Sequence, residues 1–131
     1  MMGYTGTPIG QLHNELFRAG GPHKFPYRYM DAKTVTDLLH SCGGRCRACT
    51  SWQYKADNVM EMMIEKHMLD GIELNHPRND EKTREHITSL CKEHDLFMTG
   101  GTDFHGLYTK TPYPLGSFLC PKEGLHRLIL A

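Results

Sequence analysis

The feature that most constrains the fold is an alternation of short apolar segments with amphipathic ones in the second half of the chain. Residues 71–75 and 96–99 are short apolar runs that predict strands. Asn79 is a good N-cap for a helix between them that ends near His94. This helix is expected to turn three side chains inward, those of Ile87, Leu90 and Cys91. Strands and helices that alternate with short links form βα units, which predict a parallel sheet.

Helices are also predicted before and after this unit. Asp31 is a good N-cap for a helix that ends near His40, and Asp57 or Asn58 caps a second that ends near Leu69. A last helix opens at a proline. The apolar faces expected for these three helices are Val35, Leu38 and Leu39 in the first, Val59, Met62, Met63, Lys66 and Met68 in the second, and Leu125, Leu128 and Ile129 after Pro121 in the last.

The predicted strands are too few to make a closed fold. Residues 45–50 lie where a strand is expected ahead of the other two, although their composition is poor for one. Three βα units do not close a (β/α) barrel, which typically needs about 250 residues, and the chain has 131. An open parallel sheet of three strands also leaves its edges unpaired. We therefore expect an α/β fold that is part of a larger domain.

Composition and charge argue against several classes of function. The apolar content of 39% is ordinary for a globular protein and argues against disorder. The formal net charge is zero with histidine neutral, so nothing favours nucleic acid or an anionic membrane as a partner. No apolar run approaches the roughly 20 residues that cross a bilayer. The first residues carry neither a basic nor an apolar signal region, which predicts a cytoplasmic location.

Candidate metal ligands follow two of the predicted strands, where function gathers in parallel α/β proteins. His76 follows the first, and Asp103 and His105 follow the second within the run Gly-Gly-Thr-Asp-Phe-His-Gly. On an extended backbone, residues i and i+2 share a face, so a carboxylate and an imidazole can meet one divalent cation. The flanking glycines let the backbone approach an ion closely. The alternatives are a turn in which Asp103 caps local amides beside a solvated His105, and a His76 that only caps the next turn.

These motifs resemble the PHP (polymerase and histidinol phosphatase) family of metal-dependent phosphoesterases. The last metal motif of that family reads Gly-Gly-Ser-Asp-x-His-Gly, and Thr102 stands where serine is usual. The run Gly-Ile-Glu-Leu-Asn-His-Pro at 71–77 and the Gly-Gly-Pro segment at 20–22 resemble the branch that hydrolyses nucleoside bisphosphates and short RNA 5′ ends. The likeness covers roughly residues 7–130 and matches the second half of the family's domain. Residues 1–131 are therefore expected to be the C-terminal portion of a single PHP domain.

The resemblance implies a distorted (β/α)7 barrel that holds up to three divalent ions, commonly manganese, zinc or iron. It implies that Asp103 and His105 are metal ligands and that His76 touches the metal cluster or the substrate phosphate. The implied reaction is metal-assisted hydrolysis of a phosphomonoester or phosphodiester. The implied partner is a small phosphorylated substrate, such as a nucleotide or short RNA. No specific protein partner and no membrane are predicted.

The chain departs from the family's pattern in two places. The family's first two motifs, His-x-His and Asp-His with a later glutamate, do not occur, so the chain alone is expected to be inactive. Its third, Ala-His-Pro, is replaced within residues 45–51, which puts Thr50 at the position of a lost ligand histidine. The two arginines there are expected to place unpaired charge in a buried strand. One choice of codons for 45–51 encodes Gly-Ala-Val-Leu-Ala-His-Pro in a shifted frame, so our hypothesis is a pair of compensating frame errors.

Two other functional assignments stay open on the sequence. Cys42, Cys46 and Cys49 have the spacing of the iron–sulfur site in radical SAM enzymes, and with His40 they could instead bind zinc. Against this, Cys42 is expected to end a helix, and residue 48 is alanine where that family usually has an aromatic residue. The second alternative is an inactive remnant of a phosphoesterase.

Overall fold

The computed structural model describes residues 16–17, 20–23, 28–49, 57–106, 111 and 113–129. The chain divides into two compact units, one formed by Met1–Tyr29 and Phe104–Pro112, the other by Met30–Asp103 and Tyr113–Ala131. The helices and strands named below all lie in the second unit. In the described ranges, no helix is both long and apolar enough to cross a membrane.

Helices and parallel strands alternate through the second unit, as the sequence predicts. Its strands pair in the order β1-β2-β3, and both pairings are parallel. The elements are α1 (Ala32–Ser41), β1 (Arg47–Ala48), α2 (Asp57–Glu65), β2 (Gly71–Asn75), α3 (Glu81–Glu93), β3 (Phe97–Gly100) and α4 (Lys122–Ile129). The mixed α/β class with parallel strands is therefore confirmed.

The register of the sheet assigns alternate residues to its two faces. Ala48 pairs with Ile72 and Ile72 with Met98, whereas Glu73 pairs with Thr99 on the other face. The first face packs against the helices in a core of buried side chains, with Ile72 and Ile87 fully buried. Burial of each large apolar side chain contributes about 2 kcal/mol. The other core members are Met60, Ile64, Leu69, Cys91 and Leu96.

The expected N-cap at Asp31 is confirmed, because its carboxylate accepts a 2.9 Å hydrogen bond from the Thr34 amide. The expected cap at Asn79 is wrong by one residue. Asp80 caps α3 instead by accepting from the Thr83 amide at 2.8 Å. The buried Asn79 amide donates to backbone oxygens at the end of β2. Asn79 therefore joins the strand to the turn that follows it.

The buried faces expected for three helices are wrong. Val59 and Met62 of α2 are exposed, and Met60 and Ile64 are buried instead. The helix also ends at Glu65, so Met68 and Leu69 are buried in the turn that leads to β2 and do not extend a helical face. Lys66 is exposed, and only Met63 of the expected face packs partly against the core.

Leu125, Leu128 and Ile129 of α4 are likewise exposed, and the cause is a single glycine. Gly124 lies so close to β3 that a Cβ there would overlap the carbonyl oxygen of Met98. The helix therefore presents its backbone at Gly124 to the sheet, and its leucines point away. In α1 the buried residue is Thr36, while Leu38 and Leu39 are exposed.

Candidate functional site

His76 directly follows β2 and is the most deeply buried histidine among the described residues, with 2% of its surface exposed. Its Nδ1 accepts a 3.2 Å hydrogen bond from the backbone amide of Arg78, and its backbone oxygen accepts from the Asn79 amide at 3.0 Å. The imidazole is therefore held by the turn that leaves the strand. Neither bond involves Nε2.

The Nε2 atom of His76 points toward Asp103, which lies just beyond β3. The distance from Nε2 to the Asp103 Oδ2 atom is 3.7 Å, longer than a hydrogen bond. Nε2 is buried and makes no hydrogen bond in the described part of the chain. About a third of the Asp103 side chain is exposed. The structure thus brings two of the predicted site residues to the same edge of the sheet.

The loop that carries Asp103 is anchored on its N-terminal side. A Cβ at Gly100 would lie 2.5 Å from the Leu119 oxygen, so only glycine fits where the strand ends. Next to it, the buried Thr102 hydroxyl accepts a 3.1 Å hydrogen bond from the Gly116 amide. Asp103 itself has φ of 53°, in the left-handed region. The extended backbone expected from Asp103 to His105 is therefore absent, and their shared face cannot rest on strand geometry.

The other predicted ligands are distributed differently. His105 belongs to the other unit and is exposed, so its pairing with Asp103 stays a prediction. Thr50 lies outside the described residues. Within the described ranges, no three histidine, cysteine or acidic side chains come together in a group that could hold a metal ion.

The three clustered cysteines are not brought together either, although all are described. Cys46 packs against the core, whereas Cys42 and Cys49 are exposed. His40, the fourth ligand of the zinc alternative, instead bonds Asp70 at 2.9 Å. The structure therefore does not support a cluster site at these cysteines.

A polar group on the sheet face opposite the core was not foreseen. The Arg47 guanidinium donates a 2.7 Å hydrogen bond to the Thr99 hydroxyl and lies 3.6 Å from the Glu73 carboxylate. Arg45 lies over the Phe97 ring at 5.8 Å. The expectation of unpaired charge is therefore wrong for Arg47, whereas Arg45 is exposed and precedes β1. The signal in the sequence was Glu73, an acidic residue inside an apolar strand.

An open cavity of about 230 Å³ lies near the opposite edge of the sheet. Its lining includes Asp70 and Leu96, which precede β2 and β3, and it contains none of the predicted ligands. Its two arginines and two aspartates largely balance in charge, and Arg127 bonds Asp95 at 3.0 Å. The cavity is therefore separate from the edge that carries His76 and Asp103.

Comparison with known proteins finds similarity over most of the chain. A phosphoribosyl 1,2-cyclic phosphate 1,2-diphosphodiesterase from Eggerthella lenta is 26% identical over 110 residues, which cover 84% of this chain. A crystal structure described as a candidate metal-dependent phosphoesterase from Bifidobacterium adolescentis matches 86% of this chain with a TM-score of 0.68 and 24% identity. No protein-family model matches the chain.

This chain spans 42% of the length of the Eggerthella protein and 40% of the Bifidobacterium chain. The structural match shows that most of this chain adopts the fold of part of that protein. The resemblance to part of a PHP-type metal-dependent phosphoesterase, predicted from the sequence motifs, is confirmed by the two matches together.

Proposed function

We propose that this chain forms part of a metal-dependent phosphoesterase built on a (β/α)7 barrel of the PHP type. The observation that carries the proposal is the edge where β2 and β3 end, at which the buried Nε2 of His76 faces the Asp103 carboxylate. Ligands and metals bind at this edge in parallel α/β folds. The parallel strand order and the similarity to phosphoesterases support the same function.

The residues at this edge have the chemistry of a divalent cation site. Asp103 offers a partly exposed carboxylate, and carboxylate and imidazole are ligands that manganese, zinc and iron accept. We propose Asp103 and His105 as ligands, with Thr50 at the position of a lost third one. A bound ion would supply Lewis acidity that activates water and offsets charge on the phosphate. His76 would contact either the metal cluster or the substrate phosphate.

The remaining residues of the edge position the loop. Asn79 ties the turn after β2 to the strand, and Thr102 ties the loop after β3 to the segment at Gly116. These bonds fix the turn that carries His76 and the loop that carries Asp103, so the Asp103 carboxylate would bind a cation with little reorganisation. The chain's own contribution is therefore to present a negative group and a polar ring nitrogen at one place.

The proposed substrate is a small phosphoester, such as a nucleoside bisphosphate or the 5′ end of a short RNA, in the cytoplasm. The named activity of the Eggerthella relative is directed at a phosphoribosyl cyclic phosphate, which belongs to the same broad class. We propose that this chain is an incomplete form of the active protein, because it spans 42% of the length of the Eggerthella relative and 40% of the Bifidobacterium chain. An inactive remnant is the alternative that this same observation favours.

Hydrolysis of bis(p-nitrophenyl) phosphate and of a nucleoside bisphosphate with added Mn²⁺ tests the proposal. The assay compares the 131-residue chain with the longest product of the same locus. We expect little activity from the chain and clear activity from the longer product, reduced about 100-fold or more by Asp103→Asn. Inactivity of both would favour the remnant. A longer product indifferent to Asp103→Asn would contradict the proposed site.

A further inference from the structure

One feature of the site decides between the two roles left for His76, and it is the hydrogen bond at Nδ1. This nitrogen accepts from the Arg78 amide, so it carries a lone pair and no proton. A neutral imidazole has one N–H, which must then be on Nε2. The buried, unbonded Nε2 of His76 thus directs an N–H group at Asp103.

A metal-binding histidine has the reverse arrangement. It offers the lone pair of one nitrogen to the ion and donates the N–H of the other to a carbonyl, carboxylate or water. In His76 the Nδ1 atom lies 3.2 Å from the Arg78 amide, which is a donor. If Nε2 bound a metal, the proton of the neutral ring would be on Nδ1, and the Nδ1–H would then face the N–H of Arg78. The turn after β2 therefore selects His76 as a donor and disfavours it as a ligand.

We propose that His76 is a positioning residue whose Nε2–H holds the Oδ2 atom of Asp103, and that it does not bind the metal. The present separation of 3.7 Å is long for a hydrogen bond, and such contacts commonly shorten when a site is loaded. Asp103 benefits from such a contact because its backbone occupies the left-handed region, where the strand no longer directs its side chain. The role assigned to Asp103 rests on the proposed function, whereas the tautomer of His76 does not.

The tautomer is tested directly by long-range ¹H–¹⁵N NMR of the metal-free chain. The His76 resonances are assigned by their loss in His76→Gln. We expect the pattern of a protonated Nε2 and an unprotonated Nδ1. A protonated Nδ1, either in the free chain or after addition of Zn²⁺, would overturn the proposal.

The positioning role is tested by calorimetric titration with Mn²⁺ of two matched variants. In His76→Gln the side-chain amide places an N–H near the position of Nε2. In His76→Asn the shorter side chain places its amide near the position of Nδ1 and leaves no donor near Nε2. We expect affinity within about threefold of wild type for the first and a loss of about 10-fold or more for the second. Equal, severe losses in both folded variants would indicate a ligand and overturn the proposal. Should wild type itself bind no Mn²⁺, the metal site proposed for this chain fails, and the NMR result still decides the tautomer.

Discussion

The two faces of the sheet are stabilised in different ways. On the helix-covered face, Ile72 packs with apolar side chains of α2 and α3, so burial of apolar surface is the main contribution. On the opposite face, Glu73 and Thr99 are almost as buried, but they are polar and are bonded to Arg47 or close to it. The comparison shows that a strand of this chain is not uniformly apolar. Its second face combines the buried Phe97 ring with a buried polar group formed by Glu73 and Thr99 beside Arg47.

The largest expected effect is on the helix-covered face. Ile72→Ala removes a fully buried side chain and should lower the free energy of unfolding by about 3 kcal/mol. The matched control is Val59→Ala, on the exposed side of α2, which should cost less than about 0.5 kcal/mol. Urea unfolding of the three proteins measures both. Similar losses would mean that Ile72 is no more buried than Val59, which would contradict the assignment of the helix-covered face.

The same face should make stability depend on pH. Burial raises the pKa of the Cys91 thiol from 9.0 to about 11. The folded state therefore retains a proton that the unfolded state loses, so this contribution is complete below about pH 9 and is lost as the pH rises toward 11. We expect a loss of about 1.4 kcal/mol by roughly pH 10.

The measurement is urea unfolding of wild type at several alkaline pH values, compared with Cys91→Ala and with Cys42→Ala, which alters an exposed thiol. Only Cys91→Ala should reduce the loss of unfolding free energy with rising pH. Retention of the full slope in Cys91→Ala would assign the pH dependence to other groups.

The smallest expected loss of stability comes from breaking the ion pair on the opposite face of the sheet. Arg47→Met removes the guanidinium near the buried Glu73 carboxylate and should cost about 1 kcal/mol, since two-fifths of the arginine side chain is exposed. Adding Glu73→Gln should recover part of that loss, because the carboxylate is then absent. Lys92→Met, at an exposed position of α3, is the control. Strictly additive costs in the double variant would show that the two side chains do not interact.

Local patterns in the sequence were sufficient to predict the helices and strands, but they did not predict which faces of the helices are buried. The strand at 71–75 and the cap at Asp31 follow from composition and capping chemistry, and the structure has both. The orientation of α4 depends on the approach of Gly124 to Met98, a contact between distant segments. Helical periodicity alone therefore favoured the leucines as the buried side.

The candidate site shows the same limit. The motif at 100–106 predicted its location after β3, but the left-handed conformation of Asp103 and the burial of His76 depend on how the loop packs. Predicting the pair of Arg47 and Glu73 requires the register of β1 against β2, and this register cannot be read from the composition of the strands. Sequence motifs thus predicted the candidate residues, and tertiary contacts determined how these residues are placed.

The central claim is that Asp103 contributes to a divalent cation site at the edge where β2 and β3 end. The most direct measurement is calorimetric titration of the chain with Mn²⁺, repeated for Asp103→Asn and for Glu93→Gln, which removes an exposed carboxylate from α3. We expect saturable binding to wild type and to Glu93→Gln, and a loss of affinity of at least about 10-fold in Asp103→Asn. Equal binding by all three proteins, or no binding by wild type, would contradict the central claim.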